Sequence, residues 1–141
     1  MRTVSELLWP MLAHMALVFG LYAWLSVARL RAVGRGELGF SAFEFSGHEP
    51  PAIARITRNL SNQFELPLLF YVSILLILFL NAVTLSDVVA AWLFVAGRLV
   101  HTAVQTQSGN VPLRGLVFSV NALACLALVA HVAVIAWWGQ A

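Results

Sequence analysis

Residues 116–136, LVFSVNALACLALVAHVAVIA, run without a single charged side chain. A helix needs about 20 apolar residues to cross the hydrocarbon core of a bilayer. This stretch therefore reads as a membrane span, and its apolar character extends it from about Leu113 to Trp138. Working outward, three further runs of the same kind come into view, giving expected spans at 7–28, 52–80, 88–106 and 113–138. Trp137 and Trp138 at one end, and Trp9 near the start, suit the membrane interface. The 141-residue chain is 61% hydrophobic and only 10% charged, with a mean hydropathy of +0.88. So few charges cannot coat a soluble domain of this size, whereas lipid tails can cover an apolar exterior. The expected architecture is an all-α, integral membrane four-helix bundle forming a single domain.

The punctuation between spans fixes their order. Arginines close the first run at Ala28-Arg29-Leu30-Arg31, and a loop from about Gly34 to Pro51 follows, rich in Gly, Ser and acidic residues. Pro50-Pro51 then opens the second helix. A short turn between Asn81 and Asp87 makes the second and third spans an antiparallel hairpin, and Gln107-Ser108-Gly109-Asn110 with Pro112 ends the third. Four spans put both termini on one side. Arg29, Arg31, Arg35, Arg55, Arg58 and Arg114 gather at the other, leaving only Arg2 with the termini. The positive-inside rule places that arginine-rich side in the cytoplasm and both termini on the non-cytoplasmic side. In a bacterium this means the inner membrane. No cleavable leader is expected at the N-terminus, since no small-residue cleavage pattern follows the first apolar run. A net charge of +2 is too small to suggest nucleic-acid binding.

An ionisable group inside a span is costly and usually has a partner or a task. Arg98 lies roughly 16 Å below Asp87 along the third helix, and Glu65 roughly 24 Å below Asn81 along the second. The two are expected to approach one another across the hairpin or between subunits. On the second helix Arg58, Asn62 and Glu65 follow i, i+4, i+7 and share a face, with Arg55 extending the stripe. On the third, Arg98, His101 and Gln105 follow i, i+3, i+7. Where these faces meet, they form a wet, mostly cationic cleft suited to a small anion carrying carboxylates and an amine. Guanidinium groups fork onto carboxylates, and Glu65 takes the ammonium. The plainer alternative is that these polar groups tie helices together. His14 and His131 read as packing or interface residues, His48 as a solvated loop residue, and Cys125 as a small buried hydrophobe. A single cysteine allows no intrachain disulfide. No cluster has metal-ligand spacing, and phosphate-loop, dinucleotide and nucleophile-elbow motifs are missing.

The stretch Arg55-Ile-Thr-Arg58-Asn-Leu-Ser-Asn62-Gln-Phe-Glu65-Leu-Pro67 resembles the second-helix signature of the MAPEG superfamily, the membrane-associated proteins of eicosanoid and glutathione metabolism. Gly97-Arg98-Leu-Val-His101-Thr through Pro112-Leu-Arg114-Gly115-Leu is similar to the third-to-fourth helix segment of its microsomal glutathione transferase branch. The resemblance covers nearly the whole chain. It implies a homotrimer with glutathione bound as cosubstrate between subunits on the cytoplasmic side. It also implies an apolar small-molecule or lipid second substrate arriving through the surrounding membrane lipids. Arg58, Asn62 and Glu65 match the glutathione-binding positions of the second helix, and Arg98 and His101 match site positions of the third. Arg114 matches the arginine that opens the fourth helix and stabilises the thiolate. Arg29 or Arg31 would add a contact from the adjacent subunit. Gln105 stands where family members commonly carry a tyrosine, one turn beyond the histidine; its carboxamide can still donate to sulfur. The resemblance thus implies a glutathione-dependent transferase or peroxidase, the alternative being a non-catalytic membrane protein whose cationic cleft binds a ligand or lipid headgroups.

Overall fold

The computed structural model describes residues 4–44 and 48–138; Arg2 lies outside them. Among the described residues all regular structure is helical. Helix α1 spans Val4–Gly34, α2 Pro51–Ser61, α3 Leu66–Phe79, α4 Leu85–Gln107 and α5 Val111–Trp138. Four segments are long and apolar enough to cross a membrane, with α2 and α3 together making the second, Pro51–Phe79. Helix α1 runs beyond both ends of the expected 7–28 and carries Pro10 inside it.

The second span is not the uninterrupted helix expected for 52–80. A 3-10 turn at Asn62–Phe64 and a non-helical Glu65 (φ −92°, ψ −95°) separate α2 from α3. Pro67 explains the interruption: it has no N–H to return to the Gln63 carbonyl, and its ring crowds that carbonyl. The chain restarts its helix with Leu68 N donating to Glu65 O at 3.1 Å. Elsewhere the ends follow local chemistry. Pro51 occupies the first turn of α2, where its missing N–H costs nothing. Thr84 and Asp87 form a reciprocal capping box on α4. Asn110 Oδ1 accepts from Leu113 N at 2.9 Å and caps α5.

The interior has three layers. One apolar cluster packs Leu7 and Met11 of α1 with Phe70, Ile74 and Ile77 of α3, Ala91, Phe94 and Val95 of α4, and Cys125 and Leu128 of α5. Phe70 and Phe94 stack there with centroids 4.2 Å apart. A second cluster joins Leu21, Leu25 and Ala32 of α1 to Ile53, Ile56 and Leu60 of α2. Between them lies a buried polar layer of His14, Asn59, Gln63, Arg98 and Thr102. The outer surface is largely apolar, with Phe19, Phe79, Leu116 and Leu123 all well exposed. That arrangement suits hydrocarbon rather than water as solvent.

Candidate functional site

The helix break decides which side chains of the second span turn inward. The buried stripe of α2 is Ile53, Ile56, Asn59 and Leu60, and Gln63 continues it into the interior. Arg55, Arg58 and Asn62 lie a residue out of phase with that stripe. They face a cleft between α2, the end of α4 and the start of α5. The cleft has two adjoining lobes. The first, about 160 Å³, is lined by Arg55, Arg58, Gln105, Ser108, Asn110 and Arg114, among others. The second, about 300 Å³, is lined by Arg58, Asn62, His101, Gln105, Arg114 and Phe118, among others. Arg58, Asn62, His101, Gln105 and Arg114 thus meet at one cavity, although they come from three helices.

Three guanidinium groups, those of Arg55, Arg58 and Arg114, share this cleft, and among the described residues none has an ion-pair or hydrogen-bond partner. Arg114 also sits in the first turn of α5, where the helix dipole opposes a cation. Like charges held together against a helix N-terminus, with no acid between them, are an arrangement that an anion would relieve. His101 is enclosed at the cavity wall, and its Nδ1 has no hydrogen-bond partner.

Gln105 presents a donor to the same space. Its Oε1 accepts from Asn59 Nδ2 and from Asn62 Nδ2, each at 3.0 Å. Its Nε2 amide protons are then left for whatever occupies the cleft.

Three expected site residues are placed differently. Arg98 is enclosed, only 1% exposed. It donates from Nε to Gln63 Oε1 at 3.0 Å and from Nη2 to the Asn62 carbonyl that the helix break releases. Instead of pairing with Glu65, it is satisfied by neutral oxygens; the Glu65 carboxylate acts on it only through space. Glu65 itself is exposed on the outer surface of the protomer. It lines a separate hollow of about 330 Å³ with Glu49, Thr57, Arg58 and Asn62, so Arg58 and Asn62 form the ridge between the two hollows. Arg29 is committed within the chain. Its Nε donates to Glu49 Oε1 at 2.8 Å and its Nη2 to the same atom at 2.5 Å, while Thr57 Oγ1 donates to Glu49 Oε2 at 2.6 Å. The guanidinium also lies 5.0 Å from the centroid of the Phe43 ring. Arg31, by contrast, is exposed and has no partner among the described residues.

Sequence reasoning missed the polar layer behind the cleft. His14 packs against the rings of Phe70, Tyr71 and Phe94, as expected, but it is also hydrogen-bonded into this layer. Its Nδ1 lies 2.6 Å from the Tyr71 hydroxyl and its Nε2 lies 3.1 Å from Gln63 Oε1. Gln63 Nε2 donates to Asn59 Oδ1 at 3.2 Å and to Thr102 Oγ1 at 3.4 Å. His131 likewise has a polar partner that the sequence did not reveal, its Nδ1 lying 2.7 Å from Asp87 Oδ1. A signal existed for Asn59 and Gln63, which fall in phase with Ile53 and Ile56 on the apolar stripe. For the histidine partners there was none, because they lie 44 and more residues away. Among the described residues no group of histidine, cysteine and acidic side chains could hold a metal ion.

Comparison with known proteins gives one match. A family model described as the MAPEG family covers residues 7–134. Neither the curated proteins nor the solved structures yield a match.

Proposed function

The chain belongs to the MAPEG family, and from that membership we propose that it binds glutathione in the arginine-lined cleft and holds it as the thiolate. Membership and the four spans make it a multi-pass membrane protein of the superfamily concerned with glutathione and eicosanoid metabolism. The observation that carries the proposal is the set of unpaired cations Arg55, Arg58 and Arg114 around a Gln105 amide whose donors are free. Glutathione offers two carboxylates and a thiol that such a site would charge. Arg58 and Arg55 take carboxylate, with Asn62 and His101 as polar wall. Arg114 and the Gln105 amide stabilise the sulfur anion, since a nearby guanidinium favours the charged form and does so more strongly where water is scarce. Glu65 accepts the ammonium.

Two features support a homotrimer with the ligand lying between subunits. Glu65 and Arg31 are exposed charges with no hydrogen-bond or ion-pair partner among the described residues, and Glu65 sits well inside the second span, where solitary charge is expensive. A neighbouring copy and its ligand relieve both. Arg29, bound to Glu49, serves that loop, and Arg31 is the first-helix contact. Positive-inside bias supports a cleft at the cytoplasmic face.

The second substrate is an apolar electrophile or a lipid hydroperoxide drawn from the bilayer. In conjugation the sulfur forms a bond to the electrophilic carbon as its leaving group departs. In peroxide reduction the sulfur attacks oxygen, the O–O bond breaks, and the alcohol leaves with a proton. A second glutathione then converts the sulfenic form to disulfide and water. The test is calorimetric titration of glutathione into detergent-purified protein, alongside Arg58→Ala. Saturable binding weakened by that substitution supports the site; absence of binding at millimolar glutathione refutes it.

A further inference from the structure

We propose that Arg98 is a positioning residue, which sets the direction of a chain of three buried carboxamides so that Gln105 turns its N–H donors toward the cleft. This deepens the glutathione reading and rests on it for its consequence, though not for its geometry. A carboxamide has an accepting end and a donating end, and reversing it exchanges them. Arginine has no accepting end. Arg98 Nε donates to Gln63, so the Gln63 oxygen must face it. That places Gln63 Nε2 against Asn59, whose Oδ1 receives it at 3.2 Å. Thr102 Oγ1 donates to the same Asn59 oxygen at 3.0 Å. The Asn59 amide is thereby turned toward Gln105 and donates to its Oε1 at 3.0 Å. Asn62, whose own carbonyl binds Arg98, donates to that oxygen too.

Each link is unambiguous because the first is. His14 joins consistently: Nε2 shares the Gln63 oxygen and so carries its proton, while Nδ1 accepts from the Tyr71 hydroxyl. Without Arg98 the whole chain could reverse. Gln63 would donate to His14, the imidazole would move its proton to Nδ1, and Gln105 would show its oxygen to the cleft. An acceptor facing sulfur repels a thiolate where a donor stabilises it. An always-charged group in the middle of a span is thus explained without contact to the ligand: it supplies the one end of the chain that cannot flip.

The test forces the reversal. Gln63→Glu replaces the hydrogen bond from Arg98 by an ion pair and accepts at both ends, so Asn59 must turn to donate and Gln105 must turn after it. In the apo protein labelled with 15N-glutamine, the Gln105 carboxamide is assigned by its loss in Gln105→Met. It should exchange protons with water freely in the unsubstituted chain and at least about tenfold more slowly in Gln63→Glu, having become a buried donor. Should Gln63→Glu fail to fold, Asn59→Leu cuts the chain instead: Gln105 then keeps only Asn62, which is itself free to turn, and the averaged exchange rate of its carboxamide should fall below that of the parent. Equal exchange in variant and parent, or protection in the parent, overturns the proposal. With glutathione bound, Gln105→Met should lower the thiolate fraction about tenfold in the parent and not at all in Gln63→Glu. Additive effects would mean that charge alone acts through the chain, and would likewise overturn it. If the parent binds no glutathione, the functional reading falls, while the exchange measurement still decides the direction of the chain.

Discussion

The two ends of this bundle treat charge in opposite ways. At the end bearing the termini, Asp87 is only 2% exposed, yet it is fully engaged. It accepts from Thr84 N at 2.8 Å and Thr84 Oγ1 at 2.6 Å, and pairs with His131 at 2.7 Å. At the other end Arg55, Arg58 and Arg114 surround a cleft with no acid among them. The first arrangement is complete as it stands and belongs to the architecture: it ties the start of α4 to the far half of α5. The second is electrostatically unfinished and waits for an anion. On the proposed reading, counting partners separates structural charge from functional charge better than burial does, since the buried acid is fully partnered and the accessible cations are not.

This contrast can be broken by substitution. Arg114→Ala should produce the largest effect, lowering thiolate formation and turnover by on the order of 100-fold while glutathione still binds; stopped-flow absorbance in the ultraviolet reads it, and unchanged activity would remove Arg114 from its role. His131→Leu should cost about 1–3 kcal/mol of stability by stripping the buried Asp87 carboxylate of a hydrogen-bond partner. Thermal unfolding would show this, and the glutathione dissociation constant should not move. A change in affinity there would blur the division between the two ends. Glu65→Gln should weaken glutathione roughly tenfold by removing a charged contact to the ammonium, and an unchanged constant in titration would contradict that contact. Arg29→Ala should change affinity least. It strips the Glu49 carboxylate, whose side chain is only 6% exposed, of its cation, which should cost about 1–3 kcal/mol in thermal unfolding while titration shows a nearly constant affinity.

Much of this was legible from residues alone. Four apolar runs and their arginine-rich ends announced the helices, because in lipid the backbone must satisfy itself and long helices do so. Arg58 and Asn62 on one helix and His101 and Gln105 on another were readable as the walls of a cleft from their spacing, while Arg114 was assigned to it through the family resemblance. What escaped was set by contacts distant in sequence. Nothing local in Arg29 reveals that Glu49 holds it, and nothing in His131 points back to Asp87. The helix break had a visible cause in Pro67, but an uninterrupted apolar run obscured its consequence. Freeing the Asn62 carbonyl gives Arg98 an acceptor within the bundle, so the expected pairing with Glu65 was not needed. Asn59 and Gln63 were overlooked beside their charged neighbours Arg58 and Glu65, although the phase of Ile53 and Ile56 marked them as inward.

The most direct test of the central claim is the ultraviolet difference spectrum of glutathione bound to the purified protein at neutral pH. The account predicts a thiolate absorbance that saturates with ligand and disappears in Arg114→Ala. Glutathione bound without that absorbance would contradict it, leaving a ligand site whose cations do not activate sulfur.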